Sequence, residues 1–254
     1  MARSSVGQGL THGINFVSIA PDCKPCKAVG RTSGSEGTDD GRSAPVRPTV
    51  NQEDNIEDDP YVYPGTSVLR NLAELRDAER LERFESDHCF ARLLELYENP
   101  LALGFDLEHL KRIHQYVFQD VYAWAGEFRT VNMAKGNMAK GNSFFARPEY
   151  ILPELQKVLA RLAKQRFLRG TDARGFCERA AHYIAEINAL HPFREGNGRA
   201  QREFLRELAV EAGYELAWSL VTQEEMHAAS IASFQEGSSA GFAALLKKII
   251  RSLR

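Results

Sequence analysis

Apolar side chains recur every three or four residues through most of the chain beyond about residue 60, the period of a helix with one face buried. The clearest case runs from Thr171 to Leu190, where Phe176, Ala180, Tyr183, Ile184, Ile187 and Leu190 form one stripe. Thr171 or Asp172 supplies an N-cap. Pro192 disfavours helical geometry at His191, so this helix should stop there. A second helix is predicted from Gln201 to Val210, with Phe204, Leu205 and Leu208 on one face. Similar patterns predict helices from about Leu72 to Tyr97, from Leu107 (capped by Asp106) to about Tyr122, and from Glu149 to Leu168. Two more, Thr222 to Gln235 and Gly241 to Leu253, close the chain. Residues 1–60 read differently: rich in Gly, Ser, Thr, Asp and Pro, with little periodicity. The tract Arg31-Thr32-Ser33-Gly34-Ser35-Glu36-Gly37-Thr38-Asp39-Asp40-Gly41 cannot pack a core. The pattern therefore predicts a disordered tail over 1–60 and a folded domain over 61–254.

Composition narrows the function classes. A length of 254 residues easily buries a core, and a net charge of −2 argues against a dedicated nucleic-acid binder. No segment approaches the roughly eighteen apolar residues of a membrane span. The short apolar stretch Ile14 to Ala20 lacks a basic flank and a cleavage site, so a cleaved secretion signal is not expected. Cys89 and Cys177 fall in helical patterns and read as small buried apolar residues. Cys23-Lys24-Pro25-Cys26 has zinc-knuckle spacing but no second pair, with His12 the one nearby imidazole; it reads as an accident of the tail. A reducing cytoplasm fits this cysteine usage.

The candidate chemistry is concentrated in His191-Pro192-Phe193-Arg194-Glu195-Gly196-Asn197-Gly198-Arg199-Ala200-Gln201-Arg202, between two predicted helices. Such a loop delivers Gly196, Asn197 and Gly198 to a helix N-terminus, where unpaired N–H groups and the helix dipole favour an anion. Glycine at 196 and 198 lets the backbone close on phosphate oxygens without a Cβ in the way. Arg199 and Arg202, three apart, share a helix face and can act as forked phosphate donors. Glu195 is a hard oxygen ligand suited to Mg²⁺ beside those phosphates. His191 titrates near neutrality and can take a proton from a hydroxyl, and Phe193 would anchor the loop in the core. Taken singly, each residue has a plainer reading as a cap, a turn or a solvated charge. The joint pattern is what points to phosphate chemistry.

The run resembles the signature of Fic proteins, His-x-Phe-x-Asp/Glu-Gly-Asn-Gly-Arg-x-x-Arg, with every defining position filled. The resemblance covers roughly residues 61–235 and implies an all-α fold, a helical bundle with a small β-hairpin flap over the active site. It implies transfer of AMP from ATP to a Tyr, Ser or Thr hydroxyl of a target protein, a nucleotidyltransferase activity. Carried over by position, His191 is the general base and Glu195 the Mg²⁺ ligand; Gly196, Asn197 and Gly198 form the anion hole. Arg199 and Arg202 hold the outer phosphates, and Arg194 lies within the same nucleotide-binding run. Relatives that transfer the γ-phosphate carry lysine at the second glycine; Gly198 therefore favours nucleotidyl transfer, while the loop alone leaves a phosphocholine donor open.

A second segment, Val121-Tyr122-Ala123-Trp124-Ala125-Gly126-Glu127-Phe128-Arg129-Thr130-Val131, resembles the approach to the Fic flap, which docks the target by strand addition. The Lys-Gly that approaches the nucleotide in the family occurs twice here, as Lys135-Gly136 and Lys140-Gly141, within a tandem repeat Asn-Met-Ala-Lys-Gly. The repeat reads as a longer hairpin tip, with a changed flap register as the competing reading. Lys140-Gly141, nearer the following helix, is the preferred partner of the nucleotide.

Many Fic proteins are held inactive by a helix bearing Ser/Thr-x-x-x-Glu-Gly/Asn, whose glutamate occupies the second motif arginine, here Arg202. Thr32-Ser33-Gly34-Ser35-Glu36-Gly37 fits on paper but sits in a glycine-serine tract unfit for a helix. Near Ser233-Phe234-Gln235-Glu236-Gly237 the residue four before Glu236 is Ala232. Inhibition by a separate antitoxin-type protein is therefore expected, with action in the cytoplasm or after delivery into a host cell. The competing functions are another phosphoryl or phosphodiester transfer on the same scaffold, and an inactive peptide-binding module.

Overall fold

The computed structural model describes residues 59–101, 104–133 and 145–253. Within them lie seven helices: α1 (Ala78–Glu98), α2 (Leu107–Phe118), α3 (Pro148–Lys164), α4 (Ala173–Leu190), α5 (Asn197–Ala212), α6 (Gln223–Glu236) and α7 (Ala240–Ile249). Two three-residue strands, β1 (Tyr214–Leu216) and β2 (Ile250–Ser252), pair antiparallel, Glu215 opposite Arg251. This small sheet ties the end of α5 to the end of the described chain. The all-α architecture matches the sequence reading, whereas residues 1–58 of the tail expected over 1–60, and the expected hairpin tip (134–144), lie outside the described residues.

Helix α4 is the axis of the bundle. Phe176, Cys177, Ala180 and Ala181 are fully buried along it, and α3, α5, α6 and α7 all pack against it. Two small side chains in succession let neighbouring backbones approach, while the larger apolar residues supply about 1.5–3 kcal/mol each on burial. Helix α2 buries Leu110, Ile113, Val117 and Phe118 completely, bridging α1 and α5. Cys89 and Cys177 are both buried, as their helical settings predict.

The element boundaries differ from the sequence reading where local chemistry overrides the hydrophobic period. Helix α1 begins at Ala78 rather than near Leu72, because the Asp77 side chain caps it by accepting from the Arg80 N–H at 2.9 Å. Helix α2 stops at Phe118, four residues early, and the chain turns through Gln119–Gly126 with Val121 and Tyr122 still buried. Arg166, Phe167 and Leu168 take positive φ (53°, 55° and 60°), ending α3 before the predicted Leu168. Asp172, not Thr171, caps α4. Helix α5 starts at Asn197, so part of the predicted loop is its first turn. Residues 250–252 form β2 rather than the end of α7.

Candidate active site

Two left-handed residues bracket the loop between α4 and α5. His191 takes φ 46°, ψ 64° as the C-cap of α4, its N–H still donating to Ile187 O at 3.0 Å. Pro192 disfavours the right-handed alternative at that position. Gly196, at φ 77°, is the N-cap of α5. An ideal Cβ on Gly196 would lie 2.0 Å from the Phe118 ring, so glycine is required there both by conformation and by space.

Between them the loop is laced to itself. Asn197 accepts from the Phe193 N–H at 2.9 Å and donates from Nδ2 to Phe193 O at 2.7 Å. Both groups are buried, which makes Asn197 the clamp of the loop. The first intrahelical bond of α5 is Ala200 N–H to Gly196 O, 3.1 Å. The N–H groups of Asn197, Gly198 and Arg199 precede it, at the end of the helix where an anion is favoured. The Arg202 guanidinium lies beside this turn: a Cβ on Gly198 would sit 3.5 Å from Arg202 Nη1. Glu195 Oε1 accepts from the Gly196 N–H at 2.8 Å. Partial burial, then the neighbouring Glu85 charge, raise the Glu195 carboxyl above the ordinary range. A carboxylate so placed gains from a nearby cation. One carboxylate with phosphate oxygens is the donor set Mg²⁺ usually takes, and Glu195 fits it.

Several members of the loop are engaged elsewhere. Arg194 donates from Nε and Nη2 to Asp59 Oδ2 at 3.0 and 2.8 Å. Arg199, only 12% exposed, donates to Glu85 of α1, stands 3.6 Å from Glu195 and lies 4.7 Å over the Phe118 ring. Glu85 also accepts from the Tyr122 hydroxyl. Cys89 shares this cluster, where burial pushes its thiol up to about 12. The structure thus puts Arg202 beside the open first turn and Arg199 on the inner side, against α1. Lys135, Gly136, Lys140 and Gly141 lie outside the described residues.

Four further residues support the site. His114 of α2 is fully buried; its Nδ1 accepts from the Gly126 N–H at 2.8 Å, so Nε2 carries the hydrogen and donates to Glu195 O at 3.0 Å. Its ring stacks on Phe193 at 3.8 Å, and burial lowers its pKa to about 3, so it stays neutral. Arg129, 2% exposed, lies under the loop, and burial lowers its pKa to about 10. Phe145 stacks on the His191 imidazole, centroids 3.9 Å apart at 12°. Its N–H donates to Met133 O at 3.0 Å, joining the two flanks of the hairpin segment. Glu85 completes the set. Sequence patterns single out none of His114, Phe145 and Glu85, and mark Arg129 only as part of the segment that resembles the flap approach, since periodicity assigns a residue to a face and not to a partner.

Comparison with known proteins is consistent with this geometry. Residues 104–209 match the family described as Fic/DOC. The chain is 45% identical to the protein adenylyltransferase VbhT of Bartonella schoenbuchensis over 190 residues, 75% of this chain and 38% of that protein. It is 38% identical to the probable protein adenylyltransferase Fic of Escherichia coli over 172 residues, 68% of this chain and 82% of that one. The structure of BepC from Bartonella tribocorum, a VirB-translocated effector with bound AMPPNP, superposes with a TM-score of 0.70 at 28% identity, over 76% of this chain and 97% of that one. With the motif loop complete and a relative aligned over most of its length, the chain belongs to the Fic/DOC family.

Proposed function

We propose that this protein is an adenylyltransferase, moving AMP from ATP to a Tyr, Ser or Thr hydroxyl of another protein. The observation that carries the reading is the Gly196-Asn197-Gly198 turn, clamped by Asn197 onto Phe193 and opening α5 beside Arg202. Donors preorganised at a helix N-terminus suit the non-bridging oxygens of a phosphate whose transfer leaves negative charge on the departing pyrophosphate. The relatives named as protein adenylyltransferases, and the AMPPNP bound by BepC, support the same donor.

In this mechanism the target hydroxyl oxygen attacks the α-phosphorus, the bond to the bridging oxygen of the β-phosphate breaks, and pyrophosphate leaves. The His191 imidazole takes the hydroxyl proton, held in its left-handed cap and faced by the Phe145 ring. The first-turn N–H groups and Arg202 orient the phosphates, and Asn197 keeps the turn rigid. Glu195 would hold Mg²⁺, which supplies charge neutralisation at the phosphates when bound. Arg199 orders the inner side of the turn through Glu85, and Arg194 does the same on the side of Asp59.

Control by a separate inhibitor protein is part of the proposal, because α6 carries Ala232 where an inhibitory motif needs Ser or Thr. The test is label transfer from α-³²P-ATP and, in parallel, γ-³²P-ATP, with Mg²⁺, into cell lysate and into the protein itself, with His191→Ala alongside. Label from the α-phosphate alone, lost in the variant, is the expected result. Label from the γ-phosphate would replace the reading with a phosphotransferase. Nucleotide binding with no label from either would favour a peptide-binding module.

A further inference from the structure

The hydrogen bonds of Arg129 run to four backbone carbonyls and, among the described residues, to no carboxylate. Its Nε donates to His191 O at 2.7 Å, Nη1 to Val131 O at 2.6 Å, and Nη2 to Leu190 O at 3.2 Å and to Ala146 O. Its own N–H donates to Pro192 O at 2.9 Å. Leu190 and His191 are where α4 ends, so two of the acceptors are carbonyls a helix C-terminus leaves without partners. The negative end of the helix dipole favours a cation there. Val131 and Ala146 lie on opposite flanks of the hairpin segment, already joined by Phe145 N–H to Met133 O. One planar fork therefore binds both flanks of the hairpin and the backbone of the proposed base.

We propose that Arg129 is a positioning residue that sets the protein acceptor in register with His191, by fixing both hairpin flanks to the end of α4. The proposal rests on the adenylyltransferase reading and adds to it the element that aligns the acceptor. Its chemistry is specific to guanidinium. Five N–H donors in a rigid plane reach four carbonyls in different directions, which a lysine ammonium with three donors at one point cannot do. A neutral residue in the same space would leave the carbonyls buried and unpaired.

Loss of stability alone would not distinguish this role from ordinary packing. The partition of AMP between protein and water does, because it is a ratio within each active molecule and does not depend on how much enzyme is folded. A water molecule needs no docked hairpin; a protein hydroxyl does. The experiment supplies α-³²P-ATP and Mg²⁺ to the full chain with lysate, and measures protein-bound label (self-modification included) against released AMP, each after subtraction of the amount formed by lysate without the protein. Arg129→Met, Arg129→Lys and Leu246→Ala are compared with wild type. Leu246 is buried in α7, has no part in the hydrogen bonds of Arg129, and reports the effect of destabilisation alone.

The protein-to-water ratio should fall at least tenfold in Arg129→Met and by a smaller factor in Arg129→Lys, while Leu246→Ala keeps the wild-type ratio. If the methionine variant does not fold, the lysine variant, which keeps the charge and the aliphatic stem, decides. An unchanged ratio in an Arg129 variant that is merely less stable would overturn the proposal. No α-label and no released AMP from wild type would defeat the adenylyltransferase reading first, a distinct outcome.

Discussion

Replacing His114 with phenylalanine isolates two hydrogen bonds from a ring stack. Phenylalanine retains an aromatic face against Phe193, 3.8 Å away at 17°, and against Phe118 at 4.6 Å. It removes the acceptor of the Gly126 N–H (2.8 Å) and the donor to Glu195 O (3.0 Å), leaving both backbone groups buried without those partners. Each such loss costs about 1–3 kcal/mol, so His114→Phe should destabilise by about 2–6 kcal/mol at pH 7. The sign of the pH dependence follows from the neutral state. Burial lowers the folded pKa to about 3 from an ordinary value of 6.5, so between those values the unfolded chain binds a proton that the folded chain refuses. The stability from neutral His114 is fully present above 6.5 and is lost as pH falls, by about 1.4 kcal/mol per unit. The variant has no such group, so the gap between the two proteins should narrow by about 2 kcal/mol from pH 6.5 to pH 5. Urea unfolding of both at pH 7, 6.5, 6 and 5 measures it. A deficit below about 1 kcal/mol at pH 7, or a gap independent of pH, would refute the neutral, doubly bonded histidine.

Other perturbations follow from the same geometry. His191→Ala should lower AMP transfer by about 10²–10⁴-fold with nucleotide affinity little changed, as titration with a fluorescent ADP analogue would show; a matching loss of affinity would assign His191 to binding. Gly196→Ala must place a Cβ 2.0 Å from the Phe118 ring at a left-handed φ, and should cost about 2–4 kcal/mol in chemical unfolding; a neutral result would mean that Phe118 moves freely. With its thiol raised to about 12, Cys89 should resist iodoacetamide at pH 8 in the folded protein and react once unfolded; peptide mapping that finds it modified in the native state would contradict the closed Glu85–Arg199 cluster. Deleting one of the two identical Asn-Met-Ala-Lys-Gly copies leaves a single Lys-Gly directly before Asn142, and should leave nucleotide affinity unchanged and alter at most which lysate proteins are labelled; loss of nucleotide binding would mean that the nucleotide needs both copies.

The legibility of this molecule divides at the boundary between local and tertiary chemistry. The proposed site is contiguous: His191 through Arg202 hold the proposed base, the proposed metal carboxylate and the proposed anion turn within one loop and the first turns of α5. Helix α4 was readable for a similar reason, because one apolar stripe ends at a proline that forbids its continuation. What could not be read is which partner each charge would choose. Arg194 and Arg199 read as phosphate donors in the sequence, yet they pair with Asp59 and Glu85, more than a hundred residues away. A helical period says only that Glu85 lies on a face, and the choice of that face is made by α5.

The same division explains why the supporting residues come from the approach to the hairpin. Gly126 and Arg129 are three apart, yet they reach opposite ends of the loop, Glu195 through His114 and His191 directly. A loop containing two left-handed residues cannot hold its own shape by local hydrogen bonds alone, since α4 has ended before it and α5 has not begun. Asn197 closes its middle, and its two ends need donors from outside. The segment 126–131 supplies the first-end donor itself and orients the His114 ring that supplies the other. The segment 126–131 is thereby tied to both ends of the loop, the His191 end and the Glu195 end, where the proposed base and the proposed phosphate turn lie. A shift in that segment would move chemistry and target together, which is why Arg129 and His114 are the positions where stability and transfer should be separable by experiment.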